Sequence, residues 1–128
     1  MITVEETIEI GNPILLESSS PENAFAVFFE DEGETGYFYA LDTKRKNPIV
    51  DALHIYNVAN VSDRNIPSKI QVVWSHDGLK SALIINDYVH GIFDFQSKRG
   101  YCRTGFPPPV GDWKERHEWS EDAFKLFD

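Results

Sequence analysis

The sequence predicts an α+β, mainly-β fold in one domain over residues 1–128: an antiparallel meander sheet with a short C-terminal helix. Three observations carry this expectation. Aromatic and β-branched runs, AFAVFFED (24–31) and GYFYALD (36–42), flank a short polar stretch with Gly33 inside, which reads as a hairpin. From Lys69 onward, three alternating runs are separated by Asp77-Gly78 and Asn86-Asp87, dipeptides that accept left-handed backbone. At the C-terminal end, Ser120 precedes Glu121 and Asp122, a cap and two acids that suit a helix dipole, and Ala123, Phe124 and Phe127 follow at helical spacing.

Taken in order, Thr3 to Ile10 alternates imperfectly and ends at Gly11-Asn12-Pro13, as a short strand and turn would. ESSSPEN (17–23) reads as a polar loop and TKRKNP (43–48) as a basic turn. Residues 49–61 are ambiguous: Ile49, Leu53 and Tyr56 fit a helical face, whereas Leu53 and Ile55 fit a strand, favoured from Ala52 to Val58. In the later runs Ile70, Val72 and Trp74 share a face, as do Leu83 and Ile85, and then Val89, Phe93 and Phe95. These residues are the expected core. Gly100 to Cys102 begins a further strand, ended by Pro107 to Pro109, which lack amide donors.

The net charge of −9 is unevenly placed. Residues 1–42 hold ten carboxylates and no Lys or Arg, whereas residues 43–128 hold 12 basic and 11 acidic groups. Such a surface repels nucleic-acid phosphate and attracts a basic protein, although solubility alone would also account for it. No apolar run is long enough to cross a bilayer, and Glu5, Glu6 and Glu9 stand where a secretory leader would be basic, so a cytoplasmic location is expected.

Cys102 lies between Arg99 and Arg103, cations that would favour a thiolate, with His117 as a possible base. Yet adjacent strand residues point to opposite faces, which favours a small buried thiol. Asp77, Cys102, Arg103 and His117 form the enzymatic alternative. His54, His76, His90 and His117 lack the spacing of a metal site, and no phosphate loop, nucleophile elbow or dinucleotide fingerprint is present, so no metal or cofactor is expected. Lys98, Arg99 and Arg103 beside Tyr101 and Phe106 would suit single-stranded nucleic acid, but the overall charge opposes it.

The runs IVDALHIYNV, WSHDGLKSALIIND, HGIFDFQSKRGYCRTGFP and HEWSEDAFKLF resemble a family of small bacterial proteins classed as a domain of unknown function. The resemblance spans roughly residues 36–127 and implies no activity, catalytic residue or cofactor. The expected function is therefore noncatalytic binding of a basic protein, as an immunity-like inhibitor would do. Glu30, Asp31, Glu32 and Glu34 would supply charge, and Tyr37 and Tyr39 the anchors. A single acidic face further requires the 31–34 turn to lie near Glu5, Glu6 and Glu9.

Overall fold

A computed structural model of the chain describes residues 2–62, 65–102, 113 and, for the backbone, 115–117. Two sheets stack over one core. The first six-stranded sheet has the order β1-β6-β7-β8-β9-β10. Its strands are β1 (Ile2–Ile8), β6 (Ser68–Trp74), β7 (Lys80–Ile85), β8 (Tyr88–Asp94), β9 (Arg99–Cys102) and β10 (Glu115–His117). The second sheet is the four-stranded meander β2 (Ile14–Ser19), β3 (Phe25–Asp31), β4 (Thr35–Asp42) and β5 (Ile49–Asn57). All pairings are antiparallel except β9 with β10.

Alternation explains the core. Phe29, Phe38 and Leu53 from the four-stranded sheet and Ile70, Val72, Trp74, Leu83 and Phe93 from the other are essentially inaccessible to solvent. Phe38 stacks on Phe93 at 4.9 Å across the two layers, and Phe95 lies between Phe25 and Trp74. Fully burying one such side chain stabilises the fold by about 1.5–3 kcal/mol. The polar atoms that enter this layer are partnered: the Trp74 indole N–H donates to Ser18 Oγ at 2.9 Å, and Ser18 also bonds Thr3.

Both expected turns of the six-stranded sheet are present. Gly78 has φ +69° and its amide donates to the Ser75 carbonyl at 3.0 Å, while Asn86 and Asp87, at φ 50° and 71°, join Ile85 directly to Tyr88. The single expected meander is instead divided between two sheets: the chain leaves the six-stranded sheet after β1, runs as a meander through β2 to β5, and returns after residue 57, where β6 to β9 form a second meander. Among the described residues, helical backbone is confined to the 3₁₀ turn Val58–Asn60. The expected C-terminal helix over residues 120–127 lies outside the described residues, as do Pro107 to Pro109.

Three local expectations are corrected. Residues 17–19 are strand rather than loop: Glu17, Ser18 and Ser19 pair with Phe28, Val27 and Ala26, and the ladder overrides the low strand propensity of serine. Residues 49–57 are strand from Ile49, three residues earlier than Ala52, and the 3₁₀ turn takes Val58. Val89 does not share the face of Phe93. A bulge pairs Ile84 with Val89 but Leu83 with Gly91, so the extra residue, His90, sends Val89 to the outer side, where it packs with Ala82 and Ile92.

Candidate functional site

The outer face of the four-stranded sheet follows from its register. One row across the strands reads Leu15, Glu30, Tyr37, His54, and the next reads Glu17, Phe28, Tyr39, Ala52. Phe28 stacks on Tyr39 at 4.4 Å, Tyr39 on Tyr37 at 5.8 Å, and Tyr37 meets His54 edge-on at 5.3 Å. The rings form a continuous, half-buried ladder with Glu30 beside it and Glu17 at its margin. Burial, and then the field of the Glu30 carboxylate, raise the Tyr39 phenol above its ordinary value of 10.0, which registers the proximity of acid and ring.

No Lys or Arg occurs in any strand of this sheet. The basic residues Lys44, Arg45 and Lys46 lie in the β4–β5 connection, at the end of β4 opposite the Glu30–Tyr37 row. Two ion pairs, Lys69–Asp87 and Lys80–Asp77, belong to the six-stranded sheet. Sequence reasoning missed Glu17, Phe28 and His54 here. The available signal was the alternation Leu15, Glu17, Ser19 against Leu16 and Ser18, concealed by the serine-rich composition.

The remaining predicted binding residues divide sharply. Asp31 is fully buried, and its carboxylate accepts from Gly11 N at 2.7 Å, Gly33 N at 2.8 Å and the Tyr56 hydroxyl at 2.6 Å. It faces the interior because it alternates with Glu30, so it holds two loops together rather than offering a surface charge. Burial and the bond to Asp31 push the Tyr56 phenol far above its ordinary range. Glu32 is exposed but turned onto its own hairpin, where it accepts from Glu34 N at 2.8 Å and from both Thr35 N and Thr35 Oγ1. The Thr35 and Glu34 amides lower its ionisation below the ordinary carboxylate value. Glu34 is exposed beside it.

The acidic third is split between layers. Glu9 shares a shallow depression with Gly11, Gly33 and Val58, near the 32–34 turn. Glu5 instead lies on β1 in the other sheet, where it accepts from Gln71 Nε2 at 2.7 Å.

The residues of the enzymatic alternative are not gathered by the described structure. Asp77 is exposed in the β6–β7 turn, whereas Cys102 is buried in the core on β9, opposite Gly91. Two β7 pairings, Lys80 with Asp94 and Leu83 with Gly91, put Cys102 three residues further along the sheet from that turn, about 10 Å at the rise of a strand. Asp77 bonds Ser75 Oγ and Leu79 N, which lower its ionisation and make it part of the turn. Arg103 lies outside the described residues; for His117 only the backbone is described, paired with Tyr101. Lys98 occupies a turn at φ 58°, Arg99 and Tyr101 are half-buried on β9, and Phe106 is outside the described residues. Among the described residues no three His, Cys, Asp or Glu side chains converge on a metal position, and no helix is long and apolar enough to cross a membrane.

The fold and this face define a two-layer β protein with an acidic aromatic surface. The chain belongs to the family described as "Uncharacterized protein conserved in bacteria (DUF2251)", whose model matches residues 8–128. It is also similar to an "Uncharacterized protein" of Haemophilus influenzae, 42% identical over 110 residues that cover 84% of this chain and 68% of the relative. No solved structure matches the chain.

Proposed function

We propose that this chain is a noncatalytic protein-binding domain whose four-stranded sheet receives a basic partner on its outer face. One observation carries the reading: a sheet whose strands lack Lys and Arg sets Phe28, Tyr37 and Tyr39 beside Glu17 and Glu30. Rings with a polar edge anchor interfaces at low entropic cost, and surrounding carboxylates steer a basic surface toward them. An immunity-like inhibitor of a basic toxin is the form of binder that this charge fits. Of the predicted binding residues, Glu30, Tyr37 and Tyr39 belong to the face, Glu32 and Glu34 flank it at the hairpin tip, and Asp31 supports it from within.

The test compares the wild-type chain with the double variant Glu17→Lys/Glu30→Lys as baits in extracts of the native bacterium. The wild type is expected to retain a basic protein that the variant loses, with an association rate that falls as salt shortens the Debye length below about 10 Å. Equal capture of the same proteins by both baits would overturn the reading.

A further inference from the structure

We infer that the outer face is a guanidinium clamp that reads two arginines spaced as Arg-x-Arg on an extended segment of a partner protein. The inference rests on the basic-partner reading above and specifies its chemistry. Glu17 pairs with Phe28, and Glu30 lies two residues beyond Phe28 on β3, so the two carboxylates are diagonal neighbours on one face. Diagonal neighbours in an antiparallel pair stand about 7–8 Å apart. Same-side residues of an extended chain are about 6.6–6.8 Å apart, so alternate side chains of a docked segment match this separation.

Arginine fits the face better than lysine does. Phe28 ends the ladder, stacked on Tyr39 on one side and paired across the strands with Glu17 on the other, so a planar guanidinium can lie against this terminal ring while its N–H groups donate to the carboxylate beside it. The ammonium of lysine is a compact, strongly hydrated charge that gains less from stacking. Neither Glu17 nor Glu30 is engaged in an ion pair among the described residues, so both carboxylates remain to receive those donors.

Binding of the capped peptides Gly-Arg-Ser-Arg-Gly, Gly-Lys-Ser-Lys-Gly and Gly-Arg-Arg-Ser-Gly to the full chain at low salt, by calorimetry and amide chemical shifts, provides the test. The Arg-x-Arg peptide is expected to bind at least fivefold more tightly than the other two and to shift the amides of Phe28, Tyr37 and Tyr39. Phe28→Leu is expected to erase the arginine preference, and Glu30→Gln to weaken binding severalfold, with the thermal unfolding of each variant recorded alongside. Should either variant fail to fold, the peptide ranking and the shift map on the wild type still decide. Equal binding of the arginine and lysine peptides would overturn the clamp while leaving the basic-partner reading intact. Absence of shifts on this face would overturn the clamp, and the capture experiment would then decide the broader reading separately.

Discussion

Asp31 accepts three hydrogen bonds in a site closed to solvent, and each donor left without it would lose about 1–3 kcal/mol. Asp31→Ala is therefore expected to destabilise the chain by about 3 kcal/mol or more, with Asp31→Asn less severe, read as shifts in the urea midpoint. Gly78 is constrained differently. Its φ is +69°, and a Cβ there would press on Ser20, Asn23 and Glu22, the loop to which Ser20 Oγ and Asn23 Nδ2 tie this turn at 2.9 Å. Gly78→Val should cost about 1–3 kcal/mol. Cys102, buried in the core, should react with thiol reagents far more slowly in the native chain than after denaturation. Glu32 and Asp77 titrate below their ordinary values of 4.5 and 3.8 because hairpin amides and hydroxyls stabilise their charged forms. Their contribution is complete above those values and is lost as pH falls through the lowered folded ones, so carboxyl shifts followed from pH 6 to about 2 should show both titrating late.

At the scale of elements, what the sequence disclosed depended on how regular each strand is. The runs bounded by Asp77-Gly78 and Asn86-Asp87 were legible because alternation and turn chemistry agree there. Residues 49–57 looked partly helical for a definite reason. β5 carries two irregularities: Gly36 pairs with Tyr56 but Tyr37 with His54, and Ala40 pairs with Asp51 but Leu41 with Ile49. Each extra residue resets the period of two, so Leu53 and Tyr56 face the core at a spacing of three. β2 was hidden by its serines, of which Ser18 takes up tertiary partners, Thr3 and Trp74, that are invisible in the chain alone. Ser18→Ala would remove the buried hydroxyl that accepts from the Trp74 indole N–H, and a loss of about 1–3 kcal/mol with altered tryptophan emission is expected.

For the whole molecule, the sequence showed that the charge is lopsided but not how folding would distribute it. Glu5 and Glu6 go with β1 to one sheet, and Glu17 and Glu30 go with β2 and β3 to the other. Only the second pair meets a ring ladder. Of the candidate face, Glu30, Tyr37 and Tyr39 were readable from the hairpin, whereas Glu17 and His54 required knowledge of which strands pair. Charge reversal at Glu5 and Glu6 is accordingly expected to leave partner association near the wild-type rate by stopped-flow measurement, while reversal at Glu17 and Glu30 slows it by tenfold or more at low salt.

The bulge at His90 behaves like a dislocation in a crystal row: one surplus unit is absorbed locally, and order resumes on both sides. Because the ladder already joins Ile84 to Val89 and Leu83 to Gly91, removing His90 would restore regular alternation without turning any neighbour over. Removing Ile92 would instead break the phase between Gly91 and Phe93 and drive a phenylalanine of the core outward. Length variation within β8 is thus expected at the bulge formed by Val89 and His90. A relative one residue shorter there would keep the same interior, whereas a gap placed among Gly91, Ile92 and Phe93 in an alignment would superimpose inner residues on outer ones.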